Sequence, residues 1–303
     1  MYIIDHRKIF YFVSVALVSA SILSIIIYGL NLGIDFKGGT LIEVKYSEEK
    51  PQLSDLSMGL EKLSLGGVLV RPTGEKGFLI RTKTLVEGER NIVVNAIKEI
   101  SKDNKYELTR FNSIGPIIGK ETGRKSLMSI SLVLICIILF IAFAFRHVSE
   151  PVSSWKYGVI AVVALMHDVI IPTGIFSILG QFNGIEVDAL FVTAILVILG
   201  FSVHDTIVVF DRVRENLKIN RIYKEKKSFE KIVGESIRQT FTRSINTSLT
   251  TVLVLFVLFL IGSDSTKYFS LALIIGISVG TYSSIFLCSP LLVTVEKWQE
   301  KKK

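Results

Sequence analysis

Residues 189–210 read ALFVTAILVILGFSVHDTIVVF, an apolar run broken only by Thr, Ser and the dipeptide His204-Asp205. A hydrocarbon core of about 30 Å takes roughly 20 apolar residues to cross as a helix, so this run is long enough to span a bilayer. Residues 157–179 repeat the pattern, with His167-Asp168 set between VIAVVALM and VIIP. An acid at the bilayer centre costs about 2.5–3.5 kcal/mol on insertion scales, and such groups face a bundle interior and mark ion or proton paths. At 1.5 Å per residue, Asp168 falls close to mid-membrane, and Asp205 falls nearer the end of its run.

Similar runs occupy 9–30, 127–145, 244–261 and 269–293, giving six spans. Half of the 303 residues are hydrophobic and the mean hydropathy is +0.51, as expected of an integral membrane protein. The first run follows Arg7 and Lys8 and exceeds the roughly 7–15 apolar residues of a signal peptide. No small-residue cleavage site follows it, so it reads as an uncleaved signal anchor. Cys136 and Cys288 both lie in apolar runs, which leaves no disulfide framework.

Lys and Arg in the short loops set the orientation. Arg7 and Lys8 precede the first span, Arg146 and Lys156 separate the second from the third, and Lys297 and Lys301 to Lys303 end the chain. Ten basic residues lie from Arg212 to Arg243, whereas 181–188 has none and 263–268 only Lys267. Both termini are therefore expected inside. In a membrane protein the placement of the net charge of +8 matters more than its sum, and no nucleic-acid partner is expected. The chain divides into an inner N-terminus with span one (1–30), an outer domain (31–122), spans two to six (123–295) with a basic inner loop at 211–243, and an inner tail (296–303).

The outer domain predicts strands at 41–46, 67–71, 78–83 and 106–112 and helices at 53–65 and 91–102, with a turn at Pro72-Thr73-Gly74. The order β-α-β-β-α-β is that of a ferredoxin-like α+β unit. Within the basic loop, Phe229, Ile232, Val233, Ser236, Ile237, Thr240 and Phe241 recur at helical spacing. They read either as an amphipathic helix on anionic lipid or as part of a solvated positive-inside loop. Gly276, Gly280 and Ser284 recur every four residues, a small-residue face that packs on another helix.

The candidates for chemistry are His167, Asp168, His204, Asp205, Asp211, Arg212 and Arg243. Asp211 and Arg212 end their span and read as interfacial anchors. Arg243 opens the fifth span on the inner side, within reach of Asp205 if the two helices pack together. In a dry site a carboxylate favours its neutral form, and an approaching cation reverses that preference. An acid whose cation comes and goes would load and release protons. About 150 mV delivers roughly 3.5 kcal/mol per charge, enough to bias two conformations several-hundred-fold. The alternatives are interhelical hydrogen-bond glue at about 0.6 kcal/mol per pair, or a metal held by the two dipeptides. Adjacent helical residues point about 100° apart, so each dipeptide offers a metal one ligand readily and two poorly. No Ser-His-Asp elbow, HExxH or Walker-type loop is present, so no enzyme is expected. Gly33-Ile34-Asp35-Phe36-Lys37-Gly38-Gly39-Thr40 reads by itself as a flexible connector and lacks the strand–loop–helix context of a phosphate site.

That octapeptide, the run from His204 to Asn216 (HDTIVVFDRVREN) and Arg243-Ser244-Ile245-Asn246-Thr247-Ser248 together resemble the SecD/SecF family of protein-export membrane subunits. One modest outer domain is closer to the SecF branch than to the SecD branch, whose outer region is much larger. The resemblance implies half of an RND-superfamily fold, completed to twelve spans by SecD, in a bacterial cytoplasmic membrane. It implies partnership with the SecY-SecE-SecG channel and YajC, contact with a translocating polypeptide and with lipid, and protons as coupling ion with no cofactor. It implies that Gly33, Asp35, Phe36, Gly38 and Gly39 form the family motif. Proton conduction is implied for Asp205 and Arg243, with Asp168 at a family His-Asp position. His204 stands where Asn is frequent. The expected function is use of the proton gradient in late protein export; the alternatives are an RND-type exporter of lipid or small molecules, and a non-conducting scaffold.

Overall fold

The computed structural model describes residues 2–47, 50–63, 66–101, 105–145, 153–224 and 227–300. Arg146, Lys226 and Lys301 to Lys303, counted above toward the inner side, lie outside them, as do the expected helix ends Leu65 and Lys102. The helices are α1 (Tyr2–Asp5), α2 (Arg7–Tyr28), α3 (Ile34–Lys37), α4 (Leu53–Glu61), α5 (Glu87–Ser101), α6 (Pro116–Ala144), α7 (Ser154–Asn183), α8 (Ala189–Ile222), α9 (Phe229–Ile261), α10 (Asp264–Tyr282) and α11 (Ser289–Glu300). A π-helical turn, Ser283–Cys288, joins the last two. Among the described residues six helical segments are long and apolar enough to cross a membrane: α2, α6, Trp155–Asn183, α8, α9 and Thr266–Gln299. The chain is a multi-pass membrane protein.

Contacts divide it into two units, Leu32–Leu127 and the remainder. In the first, β1 (Gly39–Tyr46), β2 (Leu69–Thr73), β3 (Gly77–Thr82) and β4 (Tyr106–Ile114) form an antiparallel sheet in the order β2-β3-β1-β4. With α4 and α5 this is the expected α+β arrangement. Ile42, Val44, Tyr46, Phe78 and Ile80 from the strands meet Leu56, Leu60, Val93 and Ile97 from the helices in one core. The expected turn shifts along the chain: Pro72 and Thr73 pair with Phe78 and Gly77, and the turn is Gly74 to Lys76. Pro72 is tolerated because β2 is an edge strand, where a missing N–H breaks no interior ladder.

In the helical unit α7, α8 and the last span are the core. More than half of the last span's apolar window is buried, against 6% for α6. Close approach fixes these contacts. Gly174 of α7 meets Ser21 of α2, where Ser24 Oγ donates to the Gly174 carbonyl at 2.9 Å and Ser177 Oγ to the Ser24 carbonyl at 3.0 Å. Phe145, Tyr157 and Phe210 join the ends of α6, α7 and α8 through ring centroids 5.2–5.9 Å apart. Pro172 sits inside α7.

The basic segment 211–243 corrects the sequence reading. Its residues 211–222 are the end of α8 and its residues 229–243 the start of α9. Val213, Leu217, Phe229, Ile232, Val233, Ser236, Ile237 and Thr240 are buried within the protein, and Phe241 is exposed. The amphipathic stripe is therefore covered by protein rather than spread on a lipid surface. Glu230 ties this end together, accepting from Arg7 at 2.8 Å and Lys297 at 2.7 Å.

Candidate functional site

Asp168 and Asp205 occupy neighbouring core helices and are nearly sealed, with 0% and 6% of their surface exposed. A hydroxyl-bearing ring surrounds them. Asp168 Oδ1 faces His167 Nδ1 at 2.9 Å, and its Oδ2 accepts from Ser202 of α8 at 2.5 Å and Ser283 of the π-turn at 2.7 Å. Asp205 Oδ1 accepts from Ser244 of α9 at 2.6 Å, and its Oδ2 from Ser284 at 2.6 Å. Behind these donors, Ser248 Oγ and Thr281 Oγ1 lie 2.5 Å apart.

The local sequence explains this convergence. Ser202 and Asp205 are three residues apart on α8 and share one face. The stripe Gly276, Gly280, Ser284, spaced by four, lies against Ile198, Ser202 and Asp205, spaced by four and three on one face of α8. Without a side chain at Gly276 and Gly280 the last span comes close enough for Ser284 to reach the acid. The face singled out for packing is thus part of the site, and its partner helix belongs to this chain.

His167 is buried, and its imidazole stacks on Tyr282 with centroids 6.1 Å apart. Tyr282 in turn donates to the Phe10 carbonyl of α2 at 3.0 Å. His167 Nε2 has no partner among the described residues, so the proton belongs on Nδ1, facing the carboxylate.

Two expected members are absent from this cluster. His204 lies on the exposed side of α8, because its neighbour Asp205 takes the inward side and adjacent residues diverge by about 100°. Arg243 is exposed on α9 and makes no ion pair with Asp205; Ser244 occupies the position expected for its guanidinium. Asp211 pairs with Arg214 at 2.5 Å and Arg212 with Glu215 at 2.6 Å, at the helix surface. Sequence reasoning missed Ser202, Ser244, Ser283 and Tyr282. Among the described residues no three His, Cys, Asp or Glu side chains are grouped to hold a metal ion.

The glycine octapeptide is a packed clasp rather than the flexible connector read from its composition. Gly33 caps α3, and Gly38 and Gly39 follow with φ of +78° and +125°. A Cβ on Gly38 would sit 2.8 Å from Pro116 Cα, and one on Gly119 would sit 2.8 Å from the Gly38 nitrogen. The Phe36 ring lies beside Gly123. Only glycine combines these angles with such approach. Gly38→Ala should lower the unfolding midpoint of the purified protein through about 1–3 kcal/mol of overpacking, whereas Gly67→Ala, which opens into free space at φ +83°, should lose only the smaller conformational term.

Residues 93–298 match the family model of the protein export membrane protein SecD/SecF, C-terminal, and residues 23–50 that of the SecD/SecF GG motif. A protein translocase subunit SecF of Thermobaculum terrenum is 40% identical across 99% of this chain and 94% of its own length. That of Anaerolinea thermophila is 39% identical across 97% and 94%. The crystal structure of SecDF from Thermus, described as a translocon-associated membrane protein, superposes with a TM-score of 0.83 at 29% identity over 98% of this chain. This chain spans 39% of that longer one. On the strength of its six spans, its glycine clasp and these relatives, the chain belongs to the SecD/SecF family of protein-export membrane proteins.

Proposed function

We propose that this chain is an auxiliary subunit of the Sec translocase, working beside a SecD-type partner and using the proton gradient to promote late steps of export. The observation that carries this reading is the pair Asp168 and Asp205, buried in the core and held by hydroxyls and one imidazole. Among the described residues neither carboxylate has a Lys or Arg ion pair, so each can exchange its charge for a proton without breaking one. Tyr282 links the His167 side of the cluster to α2, which gives proton occupancy a route to the first span.

The basic residues at both ends and between α8 and α9 support inner termini, which puts the α+β domain on the outer side of a bacterial cytoplasmic membrane, where an emerging polypeptide would be met. The SecY-SecE-SecG channel and YajC are the partners this role calls for. Family membership favours export over the lipid or small-molecule exporter reading. Vesicles carrying the channel, the SecD-type partner and this chain should show proton flux coupled to export that is lost when this chain is omitted. Equal flux and equal export without it would overturn the proposal.

A further inference from the structure

Ser283 and Ser284 are consecutive, open the π-turn, and serve different acids. Ser283 reaches Asp168 on α7, and Ser284 reaches Asp205 on α8. Each hydroxyl also has a second acceptor three residues back: the Gly280 carbonyl at 3.0 Å for Ser283 and the Thr281 carbonyl at 3.1 Å for Ser284. A serine carries one hydroxyl hydrogen, so it serves one acceptor at a time. An ionised carboxylate wins that hydrogen, because a charge-assisted bond is about twice as strong as a neutral one.

Uptake of a proton reverses the arrangement. The carboxyl gains one O–H and becomes a donor, the serine oxygen becomes its acceptor, and the serine hydrogen rotates to the backbone carbonyl. No serine O–H bond breaks; the single proton gained comes from the gradient. Both serines are fully buried, which leaves little room for water to substitute. The backbone they belong to is already irregular: the Ser284 carbonyl accepts from Ser289 Oγ, five residues on, at 2.9 Å.

Resting on the proton reading above, we infer that Ser283 and Ser284 are positioning residues for a joint two-acid site, and that their hydroxyl hydrogens, by trading carboxylate for carbonyl, report the proton occupancy of both acids to the π-turn of the last span. The titratable groups beside the acids are His167 from α7, with Tyr282 stacked on it, and Cys288 from the last span; α9 contributes the Ser244 and Ser248 hydroxyls. α2 reaches this side through the Phe10 carbonyl and the Ser14 hydroxyl, both bonded to Tyr282.

The test is infrared difference spectroscopy between acidic and alkaline pH on the chain reconstituted with its SecD-type partner. Asp168→Asn and Asp205→Asn each remove one protonated-carboxyl band and so assign it. Ser284→Ala should then move the Asp205 band to higher wavenumber and leave the Asp168 band in place; Ser283→Ala should do the reverse. Each alanine chain should lose export stimulation by about ten- to a hundredfold, the size of one hydrogen bond to a charged group. Ser283→Thr and Ser284→Thr, which keep the hydroxyl, should restore band and stimulation. Bands that stay fixed in folded alanine chains, or threonine chains that fail to restore them, would overturn the inference. If neither asparagine chain removes a band, the proton reading itself falls first.

Discussion

A chain carrying Asp205→Asn is expected to assemble normally and to give no proton-driven stimulation of export. Asparagine keeps the shape of the side chain and can accept from either Ser244 or Ser284. Its amide nitrogen then needs an acceptor, and Ser284 supplies one once its hydrogen turns to the Thr281 carbonyl, 3.1 Å away. The stability cost is therefore that of one exchanged hydrogen bond, about 1 kcal/mol. Proton exchange, in contrast, is removed outright. Co-purification with the partner and an unfolding midpoint near that of the parent, together with absent proton flux in vesicles, is the expected set of results. Undiminished export by this chain would defeat the assignment. Asp168→Asn provides a graded comparison. Two hydroxyls and one imidazole N–H converge on Asp168, and an amide cannot accept all three while donating two hydrogens of its own. Its stability should fall further, by about 1–3 kcal/mol for a buried group left without its partner.

The second large effect is structural. Gly174→Leu should prevent assembly of the helical unit, and Gly174→Ala should weaken it by about 1–3 kcal/mol. A Cβ at this position would lie 2.5 Å from Ser21 Cα, so backbone rather than a movable side-chain tip is in the way. Separating α2 from α7 would also lengthen the bonds from Ser24 to the Gly174 carbonyl and from Ser177 to the Ser24 carbonyl. Gly200→Ala is the control, since nothing lies within 4 Å of the added carbon and alanine is the better helix former by about 1 kcal/mol. Thermal unfolding in detergent should order the chains Gly200→Ala at or above the parent, Gly174→Ala below it, and Gly174→Leu without a cooperative transition. Equal midpoints for Gly174→Ala and the parent would contradict the packing.

The spans were legible because lipid imposes one rule over about 20 residues, and the βαββαβ unit because period-two and helical patterns alternate cleanly. Helix ends were not. α8 and α9 run past the apolar stretches, since Val213, Leu217, Ile232 and Ile237 find cover inside the protein, and single-chain periodicity does not tell protein cover from lipid. In the site, Asp168 and Asp205 stood out because charge is expensive in hydrocarbon. Their serine donors did not, since a lone Ser in an apolar helix bonds just as readily to its own backbone, as Ser278 does with the Ile274 carbonyl. Arg243 was drawn toward Asp205 by charge alone; the helical angle between Arg243 and Ser244 decides which of them turns inward.

Pro172 has no N–H to offer the carbonyl of Asp168, four residues earlier, and the π-turn interrupts the regular ladder of the facing span. The helix that carries that acid and the one that meets it through Ser283 thus both break their regular hydrogen-bond ladder beside it, as a knee divides the shin from the thigh. A pull or twist delivered at either end of these helices is expected to concentrate its bending there. On the proton reading proposed above, mechanical load and electrical charge would then meet at one level of the molecule.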